Sequence, residues 1–293
     1  MKQQGRTVFQ LLTGVTIGMI LWASHSTEAR AQAWPNEPAG SSLINDWNWN
    51  SCPGGGWQPA YGCGTISSDS SAPHSPSNVL RFSYNPANGT GGGDPYVLLG
   101  DVSEVFIGFW VKLSNPFMGC TNLANKIAVM NTQDGSWIWF KAEGQQNGPL
   151  HGVLGFQVTN GSINNCHNSG YGDCPGIFTF TPNVGSGNIP KGQWVRVEIH
   201  YKRSSSQTSR DGIVRLWING QQAINSTQAN WSSAPFSTLY FTPTWDGGGV
   251  GCGSTNPDQE WFDHVHISAP SEGGSTPKGD TTPPAAPTSL RTN

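Results

Sequence analysis

Residues 193–220 read QWVRVEIHYKRSSSQTSRDGIVRLWING and carry the clearest structural pattern of the chain. Its first half alternates Val, Ile and Tyr with Arg196, Glu198 and His200, and the same period of two returns in its second half. Strict alternation is the pattern of a half-buried β-strand, and an Asp-Gly pair between two such runs is typical of a turn. The stretch therefore predicts two antiparallel strands, each with one face in a core.

The same period of two extends through residues 34–270. Alternating runs predict further strands at residues 80–84, 105–111, 126–131, 137–141, 153–159, 177–181, 239–242 and 261–268. No long window carries the 3.6-residue stripe of an amphipathic helix, and no internal repeat indicates a propeller. About ten to thirteen strands in one domain predict an all-β, two-sheet antiparallel jelly-roll sandwich.

The composition excludes several other classes. Only 11% of the 293 residues are charged, less than half of the usual ~25%, so a helix bundle or coiled coil is disfavoured. The net charge of −3 gives no basic field for nucleic acid. Many Gly and 13 Trp instead favour an extracellular β-protein. Because the chain has only 15 Lys and Arg, any mechanism that needs several cations is constrained.

The two ends do not fit the folded domain. Residues 1–33 have a basic start, an apolar run at residues 11–23 and small-x-small cleavage sites, which predicts a secretory signal peptide. The apolar run is shorter than the about 20 residues of a spanning helix, although an N-terminal anchor is the alternative. We expect a secreted protein, extracellular or periplasmic, with no membrane span after cleavage. Residues 271–293 are rich in Pro, Thr, Ser and Gly and predict a flexible linker.

All six cysteines follow the predicted cleavage site. An even number in an exported chain predicts disulfides rather than a zinc site, and no Cys-x-x-Cys pair is present. Short loops favour two local pairs and leave one long-range pair, while the other connectivities stay open. The favoured pairs are Cys52–Cys63, Cys166–Cys174 and Cys120–Cys252.

Three stretches together resemble a known superfamily. Residues 104–113 read EVFIGFWVKL and residues 261–268 read WFDHVHIS; with residues 193–220 they resemble the paired strands of concanavalin A-like lectin/glucanase domains. Within this superfamily, the chain most resembles heparin lyase I and related polysaccharide lyases. The resemblance implies a jelly roll with a sugar groove on one sheet. Residues 280–290, DTTPPAAPTSL, resemble the lead-in to a fibronectin type III domain.

The catalytic strands of these relatives are missing. The Glu-x-Asp-x-x-Glu strand of the glucanase branch is absent, as are the Arg-x-Glu-Leu-Arg, Gln-Ile-His and Tyr-x-Lys-x-Gly-x-Tyr strands of the alginate-lyase branch. One element carries over: the final strand of the glucanases has an Asp that ligates structural calcium, and Asp263 occupies that place. Alternation predicts that Asp263 points inward with Val265 and Ile267, held by Ca²⁺ or by backbone N–H groups.

Candidate catalytic residues lie on the polar face of one predicted strand. A polysaccharide lyase removes the proton next to a uronate carboxylate, so it needs a cation or amide, a base and an acid. Arg196, Glu198 and His200 offer a neutralising group and a base. The residues that could face them from other strands or loops are Lys126, Lys141, His151, Gln157 and Tyr171. The alternative is that the three form the solvated outer face of an ordinary half-exposed strand.

Candidate substrate-binding residues are mostly aromatic. Flat rings stack on sugar faces, and neighbouring amides bind hydroxyls, although most Trp in such a domain packs in the core. Trp137 and Trp139 share one strand face, and Trp245 lies in a Gly-rich loop where backbone approaches a ligand closely. The full candidate set is Trp137, Trp139, Lys141, Gln157, Tyr171 and Trp245.

Two functions remain open from the sequence. The first is a polysaccharide lyase that cleaves by β-elimination. The second is a non-catalytic carbohydrate-binding module that stacks glycan on Trp residues. Both predict an extracellular polysaccharide as the partner of a monomeric protein. A glycoside hydrolase is disfavoured because paired carboxylates are not evident.

Overall fold

The architecture is all-β. The structure is a computed structural model that describes residues 34–85, 91–119, 124–144, 148–157, 167–168, 172–173, 177–206, 209–229, 233–245 and 258–270. All regular secondary structure within these ranges is β-strand. The described residues contain no helix with the length and apolarity that crossing a membrane requires. The predicted signal peptide and C-terminal linker lie outside the described residues.

The strands number 18 in the described ranges and follow one another closely. They are β1 (Ser41–Trp47), β2 (Gln58–Cys63), β3 (Thr65–Ser67), β4 (Val79–Ser83), β5 (Gly93–Val102), β6 (Glu104–Leu113), β7 (Ala124–Thr132), β8 (Trp137–Gly144), β9 (Leu150–Gln157), β10 (His167–Asn168), β11 (Gly172–Asp173), β12 (Ile177–Phe180), β13 (Asn188–Ile189), β14 (Trp194–Lys202), β15 (Gly212–Ile218), β16 (Gln221–Ala229), β17 (Phe236–Trp245) and β18 (Gln259–Pro270).

Two antiparallel sheets of eight strands form the sandwich. The first, here named the β14 sheet, has the order β16-β15-β14-β6-β18-β4-β3, and β1 pairs with the free part of β18. The second, named the β8 sheet, has the order β12-β9-β8-β7-β17-β5-β2, and β13 pairs with β9. The prediction of an all-β two-sheet sandwich is thereby confirmed.

The core lies between the two sheets and follows the predicted alternation. On β14, Val195, Val197 and Ile199 are buried in the main apolar cluster, as are Val214 and Leu216 on β15. Burial of apolar surface stabilises a fold by roughly 25 cal/mol per Å². Each strand therefore contributes through its inward face, and its other face is free to carry polar chemistry.

Some strands lack the alternation of apolar and polar residues that predicts a strand. This explains why the described residues contain 18 strands, whereas the sequence predicts about ten to thirteen. β16 reads QQAINSTQA and β1 reads SSLINDW, and neither alternates cleanly between apolar and polar residues. Their backbone groups pair with β15 and β18 respectively, so hydrogen bonding to a neighbour defines them more than side-chain pattern does.

The Cys52–Cys63 disulfide is present and confirms the first predicted pair. It closes a short loop that leads into β2, the outermost strand of the β8 sheet in its pairing order. Cys120, Cys166, Cys174 and Cys252 lie outside the described residues.

A buried carboxyl group lies in the core at Glu260. Its neighbours in register, Phe82 and Leu113, both face inward, and Glu260 has no exposed surface. The Tyr84 hydroxyl donates a hydrogen bond of 2.8 Å to Oε2, whereas Oε1 has no partner among the described residues. Burial raises the pKa of Glu260 to about 8, although the bond from Tyr84 opposes the rise. The protonated form is therefore favoured near neutral pH.

We expect the free energy of unfolding to fall as the pH rises from the ordinary glutamate pKa of 4.5 through about 8. The unfolded chain releases the Glu260 proton in that window while the folded protein retains it. Glu260→Gln should remove this component, which denaturant titrations at several pH values would measure. Tyr84→Phe should extend the loss to higher pH, because removal of its hydrogen bond raises the Glu260 pKa further. Equal pH slopes in wild type and Glu260→Gln would contradict the assignment.

Candidate functional site

The outer face of the β8 sheet brings most of the predicted binding residues together. Trp137, Trp139 and Lys141 lie on alternate positions of β8, and Gln157 of β9 pairs directly with Trp137. β7 pairs with β8 on the side opposite β9, and the register of this pair shifts between Lys126 and Ala128. The bulge leaves Lys126 opposite Lys141 on the outer face, while the two residues that follow it both pack in the core.

An apolar aromatic patch forms the floor of this face. Tyr96, Val129, Trp139 and Tyr240 pack together in a cluster separate from the main core. Cross-strand pairing aligns them, since Val129 pairs with both Trp139 and Tyr240, and Tyr240 pairs with Tyr96. The floor is buried, at 2% to 6% exposure for its three aromatic residues, whereas Trp137 is half-buried. A ligand would therefore meet Trp137 at the rim before it reached the floor.

Two lysines approach the same indole. The Lys126 ammonium lies 5.3 Å from the centre of the Trp139 ring, and that of Lys141 lies 5.9 Å from it. Lys141 also forms a 3.1 Å ion pair with Glu143. Like charges directly across strands destabilise a sheet, whereas an aromatic face and an anion both offset the cost. The arrangement therefore favours an anionic group at this place.

A tyrosine that keeps its proton lies on the aromatic floor of this face. Burial, together with the smaller effects of the neighbouring Tyr96, Asp94 and Tyr61, raises the pKa of Tyr240 to about 12. The Tyr96 hydroxyl in turn donates a 2.9 Å hydrogen bond to Gln58. A phenol with such a raised pKa donates a proton or hydrogen bond at neutral pH and does not act as a base.

Several polar atoms of the same face lack a protein partner. The buried atoms Asn131 Oδ1, Thr238 Oγ1, Thr242 Oγ1 and Trp139 Nε1 have no hydrogen-bond partner within the described ranges. Buried polar groups are normally satisfied, and each such exception needs an explanation. Donors and acceptors among aromatic rings are the composition that hydroxyl-rich sugars require.

The three candidate catalytic residues lie on the opposite side of the sandwich. Arg196, Glu198 and His200 project from the outer face of the β14 sheet, because Val195, Val197 and Ile199 fill the core. The fully buried Glu198 accepts hydrogen bonds from the Asn36 backbone (3.2 Å) and side-chain amide (3.0 Å). Its carboxylate also lies 3.3 Å from Arg196 Nε.

His200 completes this polar band through a carboxylate of its own. Its Nε2 atom lies 2.7 Å from Glu104 Oε1, and this contact lowers the pKa of the Glu104 carboxyl. The core separates the two outer faces. Arg196, Glu198 and His200 therefore cannot contact the same sugar as Trp139 on the outer face of the β8 sheet. The catalytic role of Arg196, Glu198 and His200 stays a prediction.

Asp263 faces outward, so its predicted inward orientation is wrong. A register shift between Asp263 and Val265 makes His264 a bulge residue with a φ of 27°. The extra residue reverses the alternation, and Asp263 pairs with the outward-facing Trp110 while Val265 stays in the core.

The Asp263 carboxylate is nevertheless fully buried and has backbone partners. It accepts hydrogen bonds from the backbone N–H of His74 (2.6 Å) and of Ser75 (3.0 and 3.1 Å). Backbone N–H donors are the alternative to Ca²⁺ that the sequence left open. The calcium site stays a prediction.

The last two candidate binding residues are only partly placed. Trp245 is the final residue of β17 and pairs with Asn125, but its side chain is not described. Tyr171 lies outside the described residues. The sequence does not indicate Tyr96 and Tyr240 as candidate site residues. Tyr96 lies in a strand without apolar–polar alternation, and the residues around Tyr240 alternate as in any strand that borders a core.

Comparison with solved structures agrees with the fold. An alginate lyase solved with an alginate trisaccharide has a TM-score of 0.50 at 15% identity and covers 77% of this chain and 98% of that chain. The endo-β-1,4-glucuronan lyase of the fungus Trichoderma reesei has a TM-score of 0.52 at 17% identity, over 77% of this chain and 95% of that chain. An alginate lyase from a Chlorella virus reaches 0.52 at 14% identity, over 77% and 99%.

These similarities define the class of fold that the chain adopts. It is the jelly-roll sandwich found in polysaccharide lyases, which confirms the predicted concanavalin A-like architecture. No protein-family model matches the chain, and no curated protein matches its sequence.

Gly155 provides the space that Lys141 occupies. A Cβ on Gly155 would lie 3.1 Å from both Lys141 Cε and the Trp139 ring. We expect Gly155→Ala to reduce stability by about 1 kcal/mol through crowding. Combination with Lys141→Ala should relieve part of that cost in a double-mutant cycle measured by chemical denaturation, because the contact with Trp139 remains.

Gly152 on the same strand is the matched control, because a Cβ there would meet the core residues Phe140 and Leu216 instead. Lys141→Ala should not relieve the cost of Gly152→Ala. Equal behaviour of the two glycine variants would show that Lys141 does not depend on Gly155.

Asp263→Asn should reduce stability by about 2 kcal/mol, because charge-assisted hydrogen bonds to two backbone N–H groups are weakened. The measurement is the melting temperature of wild type and variant with added Ca²⁺ and with EDTA. We expect the difference between the proteins to be the same in both conditions. A Ca²⁺-dependent rise confined to wild type would instead establish Asp263 as a calcium ligand.

Proposed function

We propose that this chain is a secreted polysaccharide lyase that cleaves uronate-containing polysaccharide by β-elimination on the outer face of the β8 sheet. The observation that carries the proposal is the convergence of Lys126 and Lys141 on Trp139. The predicted signal peptide supports export, and the lyase fold of the compared structures supports the reaction class.

The chemistry requires charge stabilisation at the uronate carboxylate. In β-elimination a base takes the proton next to the carboxylate, the C–O bond at the neighbouring carbon breaks, and a C=C bond forms as the leaving oxygen gains a proton. The imidazole of His151 is the candidate base, because His151 pairs with Glu143 on the outer face that carries Lys141. Negative charge builds up on the carboxylate during proton removal, so cations placed there lower the barrier. Lys126 and Lys141 are the cations of this face, and the partly buried surroundings strengthen their effect.

Proton donation to the leaving oxygen fits Tyr240. Its raised pKa of about 12 keeps the phenol protonated at neutral pH. Tyr240 pairs across the sheet with Val129, whose other partner is Trp139, so the phenol lies on the same floor as the lysine pair. The half-buried Trp137 and the paired Gln157 would hold the adjoining sugar by stacking and hydrogen bonding.

The second candidate function is a carbohydrate-binding module without catalysis. It is favoured by the edge-to-face contact of Trp137 with Trp139, whose ring centres lie 6.2 Å apart, and by the unpartnered Asn131 and Thr238 oxygen atoms beside them. These features bind sugar without any proton transfer.

The test follows ultraviolet absorbance of the unsaturated uronate product over a panel of alginate, glucuronan and other uronate polysaccharides. We expect activity in wild type and a loss of about a hundredfold or more in kcat/KM for Lys141→Ala and Lys126→Ala. His200→Gln on the opposite sheet is the matched control and should remain within about threefold of wild type.

The outcomes separate the candidates. A loss of activity in His200→Gln with retained activity in both lysine variants would move the site to the β14 sheet. Absence of product across the panel, with retained glycan binding that Trp137→Ala weakens, would support the binding module and overturn the lyase proposal.

A further inference from the structure

Residues 34–47, here named the N-terminal strap, hold the outer face of the β14 sheet. The Trp34 ring packs on Gly108, where an added Cβ would lie within 2.5 Å of the indole. Asn36 binds Glu198 on β14. The strap then continues into β1, which pairs with β18 so that Asp46 lies beside His266. The strap therefore touches both β14 and β18 and covers the polar band between them.

His266 joins both ends of the strap through its two ring nitrogens. Nδ1 lies 3.1 Å from Asp46 Oδ2 on β1, and Nε2 lies 3.1 Å from Glu37 Oε1 at the start of the strap. The imidazole is 6% exposed and stacks on Trp34 with ring centres 6.0 Å apart. A neutral imidazole has one N–H donor, so it can satisfy only one of the two carboxylates, whereas an imidazolium satisfies both.

The remaining charged neighbours reinforce this arrangement. His264 Nε2 lies 2.6 Å from Asp46 Oδ1, so Asp46 is shared by two histidines. His264 stacks on His74 from the loop before β4 at 3.9 Å between ring centres, and Asp263 is held by that loop. On the far side of Gly108, Glu198 is held by Arg196 and Asn36, so its charge is already compensated.

The pKa directions agree with this geometry. Burial disfavours a charged His266, but hydrogen bonds with Asp46 and Glu37 more than offset it and raise the His266 pKa. Burial likewise opposes ionisation of Asp46, yet His264 and His266 hold the Asp46 pKa well below its usual range. Burial, followed by the charge of His264, lowers the pKa of His74.

We propose that the N-terminal strap is a pH-dependent clasp, closed while His266 is an imidazolium that donates to both Glu37 and Asp46 and opened when His266 loses its proton. After proton loss, one carboxylate faces a ring lone pair in a partly buried site, which costs a full unsatisfied hydrogen bond. Because Glu37 lies at the start of the strap, its release frees Trp34 and Asn36. Glu198 then loses its two hydrogen-bond donors from Asn36, and the polar band formed by Arg196, Glu198 and His200 becomes exposed.

The direction of the pH dependence follows from the raised pKa of His266. A histidine whose pKa is higher in the closed state than in the open state stabilises the closed state most below its ordinary pKa. That contribution is lost as the pH rises through the raised pKa. The clasp is therefore closed in mildly acidic solution and opens towards alkaline pH.

The experiment is amide hydrogen exchange of the full chain between about pH 6 and pH 9, with rates corrected for the intrinsic pH dependence of exchange. We expect protection of residues 34–47 to fall about tenfold or more in wild type. Glu37→Gln should abolish this fall and keep the strap protected, because a glutamine amide can either donate to a neutral imidazole or accept from it.

Two further measurements make the result decisive. Glu143→Gln, on the β8 sheet, should retain the wild-type fall. The His266 pKa, followed by nuclear magnetic resonance of its ring proton, should decrease by about one unit in Glu37→Gln. Constant protection of the strap in wild type, an equally steep fall in Glu37→Gln, or an unchanged His266 pKa would each overturn the proposal.

Discussion

Contact between aromatic rings of the two sheets, centred on Phe241, is the interaction on which the remaining structure depends. Phe241 of the β8 sheet meets Phe262 of the β14 sheet with ring centres 4.2 Å apart, and Phe109 meets it edge-on at 5.3 Å. Trp57 stacks on the same ring at 5.2 Å. Such pairs add to the burial of large apolar surface and fix how the sheets face each other. Most polar side chains on the paired strands are thereby directed to one of the two outer faces, and Glu260 in the core is an exception.

The few charged residues of the chain are arranged differently on the two outer faces. On the β14 sheet, carboxylates and histidines pair with one another, as His266 does with Glu37 of the N-terminal strap and His200 does with Glu104. On the β8 sheet, lysines lie against an aromatic floor with Glu143 beside them. The first arrangement neutralises charge internally, and the second presents cations beside rings. In a chain with 11% charged residues, this division leaves cationic character beside aromatic rings on the β8 sheet.

Much of the fold could be predicted from the sequence, and part of the candidate site as well. Trp137, Trp139, Lys141 and Gln157 were selected from alternation and residue type, and the structure brings them to one face. Tyr240 was not selected, because its importance comes from Tyr96 and Val129 on neighbouring strands that are distant in sequence. Asp263 was placed on the wrong face because one bulge residue reverses a period of two, and no local signal marks that residue.

The alternation of apolar and polar residues is a local property of the chain, so it is sufficient to predict paired strands that each bury one face in a two-sheet sandwich. The Cys52–Cys63 pair followed in the same way from short separation. Only the tertiary structure decided which outer face each polar residue occupies and what covers it. Alternation distinguishes the inside from the outside of a strand, but not the outside of one sheet from that of the other. Strand pairing, the bulge that follows Lys126, the bulge at His264 and the return of the N-terminal strap supply that information through contacts between distant residues.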